Sequence, residues 1–259
     1  MALTESLAIQ SRVIGALLHR EVLTRFGRHN LGVLWLVLEP MLFTLGIAAL
    51  WYTAKLHTVS AIPVIAFALT GYSAVLVWRN AANRSLNAIT VNLGLMYHKN
   101  VKVIDILLAR AILEIFGGTC SFALLALAFW GFGLCQLPHD MLILLGGWAL
   151  LCWFGVALSL VVGTLSERSE LFERVWHVAT YLLFPLSGAV FMVDWLPAAA
   201  RDAVLWLPMV HGVEMVRHGF FGEAVVTHED PAFVVVFNLL LTLVGLALAA
   251  DASRRVQPE

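Results

Sequence analysis

Residues 24–43, TRFGRHNLGVLWLVLEPMLF, carry Arg25, Arg28 and His29 into an apolar run that is then interrupted by Glu39-Pro40. A carboxylate and a helix breaker inside a hydrophobic segment mean one thing in water and another in lipid. Composition decides which solvent applies. Of the 259 residues, 61% are hydrophobic and 13% charged, with a mean hydropathy of +0.87. Soluble domains carry about 25% charged residues, so this balance is that of a polytopic membrane protein.

A bilayer core about 30 Å thick takes roughly 20 apolar helical residues to cross. Six runs meet that length: 33–53, 61–78, 111–135, 141–164, 175–193 and 232–250, the fifth being the weakest. Six crossings put both termini on one side, and the positive-inside rule selects it. Thirteen of the 16 lysines and arginines fall in one set of segments; Lys55, Arg201 and Arg217 fall in the other. Both termini are therefore expected in the cytoplasm. Residues 79–110 form a long basic cytoplasmic segment, and 165–174 a short charged cytoplasmic turn. Residues 194–231 lie outside and hold apolar pieces too short to span, which reads as re-entrant or interfacial half-helices.

The first 30 residues do not span. Leu7, Ile14, Leu18, Val22 and Phe26 share one helical face, with Arg12, His19, Arg20 and Thr24 largely opposite, and Leu17 and Leu23 break the stripe. An amphipathic helix in the interface plane is expected over 1–30. Arg25 and Arg28 then lie at headgroup level, and Gly32 permits a bend into the first crossing. Glu39 follows about two turns inside, where an unpaired carboxylate on lipid costs about 2–4 kcal/mol. It is either a structural acid paired with an interfacial arginine or part of a water-filled path. The fold class is thus all-α membrane: six transmembrane helices, an N-terminal interface helix, and external re-entrant half-helices between the fifth and sixth crossings.

Several chemistries are excluded. The three lysines follow Ala, His and Val, so no Walker A loop is present, and neither HExxH nor GxSxG occurs. Glu39 and Glu114 are the acids within the crossings, too few for proton coupling. Glu114 follows Arg110 by four residues, the spacing of a helical ion pair. Cys120, Cys135 and Cys152 lie in or beside apolar runs and read as packing. His211, Glu214 and His218 share a spacing that zinc uses, but an external gate or a surface meeting a periplasmic partner is favoured over metal. An intramembrane enzyme acting on lipid-linked sugars has that external trio as its nearest support.

The opening stretch resembles the entry to the first crossing in permease subunits of ABC-2-type transporters, and within them the KpsM-like capsular polysaccharide exporters. The resemblance rests on Arg25-Phe26-Gly27-Arg28, Leu31-Gly32-Val33-Leu34-Trp35 and Glu39-Pro40. It continues through 84–114 and returns at 207–222 with Pro208, His211-Gly212, Glu214, Arg217 and Gly219. Residues 97–105 lack the prolines that the family often carries there.

This resemblance implies a transport subunit without enzymatic activity of its own. A second copy of the chain and two ABC ATPase subunits are implied partners, with ATP and Mg bound on the ATPase and no cofactor here. A periplasmic co-polymerase-type adaptor and an outer-membrane conduit complete the route in Gram-negative bacteria. The cargo is lipid-linked capsular polysaccharide; O-antigen, teichoic acid, lipo-oligosaccharide or a drug remain alternatives. No nucleic acid is implicated. Candidate path residues are Arg28, His29, Trp35, Glu39, Tyr72, Arg79, Asn83, Arg84 and Asn87, with headgroup anchoring or interfacial packing as the alternative for each arginine and tryptophan. Candidate ATPase-coupling residues are Asn92, Tyr97, His98, Lys99 and Lys102. Candidates for a periplasmic gate or adaptor contact are Trp206, Pro208, His211, Glu214, Arg217 and His218.

Overall fold

The computed structural model describes the backbone of residues 3–26, 31–54, 62–96 and 101–256, with side chains over 8–24, 34–54, 62–96 and 101–255. Ten α-helices and no strand occur among them: α1 (Leu3–Phe26), α2 (Leu31–Thr53), α3 (Val64–Ser85), α4 (Ala88–Val91), α5 (Val103–Gly131), α6 (Met141–Arg168), α7 (Glu170–Leu186), α8 (Ala198–Val204), α9 (Pro208–Phe221) and α10 (Pro231–Val256). Within α2, α3, α5, α6 and α10 lie five segments long and apolar enough to cross a membrane.

The fifth predicted crossing, 175–193, takes a different form. Helix α7 starts earlier, where the Ser169 hydroxyl accepts from the Phe172 amide, and it stops at Leu186 after 17 residues. At a rise of about 1.5 Å per residue it is ~25 Å long, shorter than a bilayer core. Pro185 lacks an amide hydrogen and Gly188 takes a positive φ of 86°, so the helix cannot propagate. The chain continues irregularly to a 3-10 turn at Val193–Trp195.

Other boundaries move as well. Residues 79–85 of the predicted cytoplasmic segment complete α3, and 103–110 open α5. A helix closes its own hydrogen bonds and does not stop where its side chains turn polar. Between α3 and α5 remain α4 and a 3-10 turn at Leu93–Leu95.

Helices α3 and α6 form the centre. Trp78 is fully buried, its ring 5.5 Å from that of Phe154, and α2, α5, α9 and α10 pack around this pair. One end of the bundle collects the close of α3, the openings of α1 and α5, and the close of α6 and α10. There Leu17 packs on a cluster holding Ala88, Val103, Ala249 and Ala252, so α1 and the last turns of α10 share an end. Arg168 and Arg255 both bond Asp251 in this region. We call it the basic end.

At the opposite end the Asp140 carboxylate caps α6 by accepting from the amides of Leu142 and Ile143. Here α9 runs antiparallel to the first turns of α6. A side chain at Gly212 would strike Leu151, and a Cβ at Gly219 would lie 2.3 Å from the Leu144 amide nitrogen. Close backbone approach through small residues is the packing mode open to helices in lipid.

Candidate functional site

Glu39 has a partner. The Arg84 guanidinium lies 3.2 Å from one of its oxygens and 3.3 Å from the other, and reaches Glu114 at 3.7 Å. Arg110 donates to the Arg84 carbonyl and pairs with Glu21 at 3.0 Å. Three arginine-bearing helices and the first crossing thus meet in one charged cluster. Glu114 is reached by Arg84, and Arg110 by Glu21 of α1. Side chains of Glu39 and Arg84 are 47% and 43% exposed, which neither a lipid face nor a dry core tolerates cheaply.

Helix α1 docks through a face that periodicity did not single out. Gln10 donates to Asp105, Arg20 donates to the Asn92 side chain at 2.6 Å, and Glu21 holds Arg110. Leu17, which breaks the predicted stripe, is the residue packed on the basic-end core. Ile14, Leu18 and Val22 are half-buried; the side chains of Leu7 and Phe26 lie outside the described residues. A cleft of about 460 Å³ opens between α1, α3, α4 and α5, lined by Arg20, Glu21, Thr24, Arg84, Val91, Asn92 and Arg110.

The remaining path candidates scatter along α3 and its neighbours. Asn83 accepts from the Trp176 indole, and Asn87 donates to Glu173 from a left-handed φ of 54°. The Arg79 guanidinium lies over the rings of Tyr181 and Phe184. Tyr72 is buried among Phe43, Trp51 and Phe184, a core position rather than an open wall. Trp35 is half-exposed on α2. Arg28, His29, Tyr97, His98 and Lys99 lie outside the described residues. Lys102 is exposed at the head of α5, its amide donating to Asp105, and Asn92 is buried beside α4.

The external candidates are mostly inside the protein. Pro208, His211, Glu214 and Arg217 are buried, and this places them behind the surface that a partner would touch. Arg217 is 0% exposed: its guanidinium donates to the carbonyls of Gly188, Ala189 and Phe191 and lies 3.9 Å from the Phe67 ring centre. Glu214 accepts from the amides of Val193 and His228. His211 contacts the Leu205 carbonyl and accepts from the Asp230 amide. His218 bonds Glu229, and Trp206 is 77% exposed. The helical trio therefore has three separate sets of partners, and no cluster able to hold a metal occurs among the described residues.

Glu229 was not legible as a site residue, since nothing in its local sequence marks it. Burial alone raises a carboxyl, but hydrogen bonds from Thr227 and His218 outweigh it and hold Glu229 below the ordinary carboxylate value. Arg20, Glu21, Arg110 and Glu114 were also missed as a unit: Glu21 and Arg110 lie on different helices, and no local pattern joins them.

A model of the ABC-2 type transporter family matches residues 12–221. The chain is 44% identical over 255 residues to the capsule polysaccharide export inner-membrane protein CtrC of Neisseria meningitidis, covering 98% of this chain and 96% of that one. It is 42% identical over 259 residues to the capsule polysaccharide export inner-membrane protein BexB of Haemophilus influenzae, with the same coverage. The polysialic acid transport protein KpsM of Escherichia coli is 30% identical over 244 residues, covering 93% of each chain.

Proposed function

The chain belongs to the ABC-2 type transporter family, and from that premise we propose that it is the membrane subunit of an ATP-driven capsule polysaccharide exporter in a bacterial inner membrane. The observation that carries this reading is near end-to-end similarity, at 44% identity, to a capsule polysaccharide export inner-membrane protein.

In this reading the chain crosses six times. Five crossings are the long apolar helices; the sixth is α7 with its irregular extension to Val193, which makes up the length the 17-residue helix lacks. Helices α8 and α9 dip in from the far end and return. The basic end faces the cytoplasm with both termini, as the distribution of lysine and arginine favours. Two copies pair, and two separate ATPase subunits bind ATP and Mg. Asn92, Tyr97, His98, Lys99 and Lys102 lie in or beside the segment between α3 and α5 that meets the ATPase. Helix α1, tied to that segment through Arg20 and Asn92 and to α5 through Glu21 and Arg110, carries ATPase movement to Arg84, Glu39 and the first crossing.

The cargo is a lipid-linked polysaccharide. Long hydrophilic chains are excluded from a bilayer core, so the pair must enclose a hydrated path. The half-exposed Glu39–Arg84 pair, inside an otherwise apolar helix, suits the cytoplasmic mouth of such a path. Trp206 and His218, at the far end, are the candidates left for contact with an adaptor that leads to an outer-membrane conduit.

The test is co-purification of the tagged chain from its host, followed by an ATPase assay and by complementation of a capsule-deficient permease strain. Recovery of a stoichiometric ATPase and restored surface polysaccharide are expected. A chain recovered as an intact pair without ATPase, in cells that gain no capsule, contradicts the proposal.

A further inference from the structure

Helices α9 and α10 are joined by residues 222–230, GEAVVTHED. After a 3-10 turn at Gly222–Ala224 this segment has no regular structure, and its last three residues lie against α9. The α9 side chains that the sequence spaces like zinc ligands each hold one of them. His211 accepts from the Asp230 amide at 2.9 Å, Glu214 accepts from the His228 amide at 3.3 Å, and His218 bonds the Glu229 carboxylate. His228 also reaches Asp194 at 3.3 Å, and Arg201 pairs with the same carboxylate. The junction is a strap with three pins.

The pins answer acid differently. The His211 ring is 4% exposed and is engaged on both edges: Nε2 lies 2.7 Å from the Leu205 carbonyl, and Nδ1 meets the Asp230 amide. A carbonyl only accepts and an amide N–H only donates, so the two contacts together require the neutral ring with its proton on Nε2. A second proton, on Nδ1, would set N–H against N–H. Among the described residues the Asp230 amide has no other acceptor. The other two histidines gain from the same proton, since His218 faces the Glu229 carboxylate and His228 faces Asp194. Glu214 is committed to the amides of Val193 and His228. The further charged or titratable groups of the elements packed around His211 are Arg217 on its own helix, Tyr72 on α3, and Asp140 capping α6 with His139 beside Gly222. Helix α8 adds Arg201 and the exposed Asp202, and the strap adds the exposed Glu223. Asp230 is itself exposed, so water has access to this end of the strap.

We propose that His211 is a pH-sensitive latch between α9 and α10. Neutral, it locks the Asp230 amide onto α9; protonated, it lets that end go while His218 and His228 keep the rest of the strap in place. The Asp230 carboxylate and carbonyl open α10 by accepting from the Phe233 and Val234 amides, so release of Asp230 loosens the helix start. Imidazoles change charge between about pH 5 and 8. In the export reading this end faces the periplasm, but the latch holds by geometry whether or not the chain exports polysaccharide.

Hydrogen exchange of the full chain in nanodiscs, expressed as protection factors corrected for the intrinsic rate at each pH, tests the latch. From about pH 7.5 to about pH 5.5, residues 230–234 should lose about tenfold in protection, the order of one hydrogen bond, while residues 142–150 of α6 keep theirs. His211→Asn sets an amide oxygen near the place of Nδ1 and cannot be protonated there, so it should keep the neutral-pH protection at both values. Glu229→Gln removes a different pin and should leave the acid loss at 230–234 in place. Wild-type protection that does not fall in acid overturns the proposal. So does an acid loss that survives in His211→Asn, which puts the titration on Glu214 or Glu229, or one that Glu229→Gln removes. The wild-type profile and Glu229→Gln decide the matter even where His211→Asn does not fold.

Discussion

The two ends of the molecule hold their arginines in opposite ways. At the far end Arg217 has no exposed surface and spends its donors on three backbone carbonyls, with an aromatic ring against its face. At the basic end Arg84 is 43% exposed and shares carboxylates that are themselves borne by two different helices. A buried cation held by main chain cannot exchange partners without unfolding a loop. A half-hydrated one exchanges them at little cost, because water is ready to substitute. The same residue type thus makes a fixed anchor at one end and an adjustable joint at the other.

Replacing Arg217 gives the sharpest break in that comparison. Arg217→Leu strands three carbonyls and the neighbouring Glu214, and should cost about 3–5 kcal/mol, the scale of losing one partner from a buried charged site. Thermal unfolding in detergent, followed by tryptophan fluorescence, reads it; a midpoint within two degrees of wild type defeats the anchor. Gly219→Ala comes next. Its methyl would lie 2.3 Å from a backbone nitrogen of α6, so α9 must shift, at about 1–3 kcal/mol and with a lower melting midpoint.

At the basic end the effects should be smaller and more local. Glu21→Gln weakens the tie between α1 and α5, whose two side chains are 16% and 15% exposed. A loss of about 1–2 kcal/mol is expected, appearing in hydrogen exchange as faster uptake in α1 with α9 unchanged. Uptake that rises equally in both helices denies the independence of the two ends. Glu39→Gln should change stability by under about 1 kcal/mol, since the pair is solvent-screened, yet lower export several-fold if the pair lines the path. Normal export at normal protein level removes it from that role.

The smallest effect is a pH dependence at the far end. Glu229 is held below its unfolded value, so its contribution is fully present above the unfolded value and fades as pH falls through the lower, folded one. Stability should decline on the acid side of the ordinary carboxylate range, and Glu229→Gln should flatten that limb of a melting-midpoint profile.

Much of this arrangement was open to reading in one dimension. Five of the six apolar runs became long apolar helices because a bilayer-length hydrophobic run states its own requirement locally. The run at 175–193 did not, because Pro185 and Gly188 outvote hydropathy within the same stretch. That Glu39 must avoid bare lipid followed from solvent alone, but Arg84 as its partner did not, since 45 residues separate them. The polar docking face of α1 was hidden for the same reason. Gln10, Arg20 and Glu21 look like a solvated side until Asp105, Asn92 and Arg110 are brought against them.

What the sequence determined by itself is the solvent, the helical class, the distribution of charge between the two sides and the family. Each is set by composition, by runs along the chain or by motifs a few residues long. Which charges pair and which of the external motif's residues are buried were decided by tertiary structure. Those properties depend on the distance between side chains on different helices and on how much water packing leaves around them, and neither quantity is written along the chain.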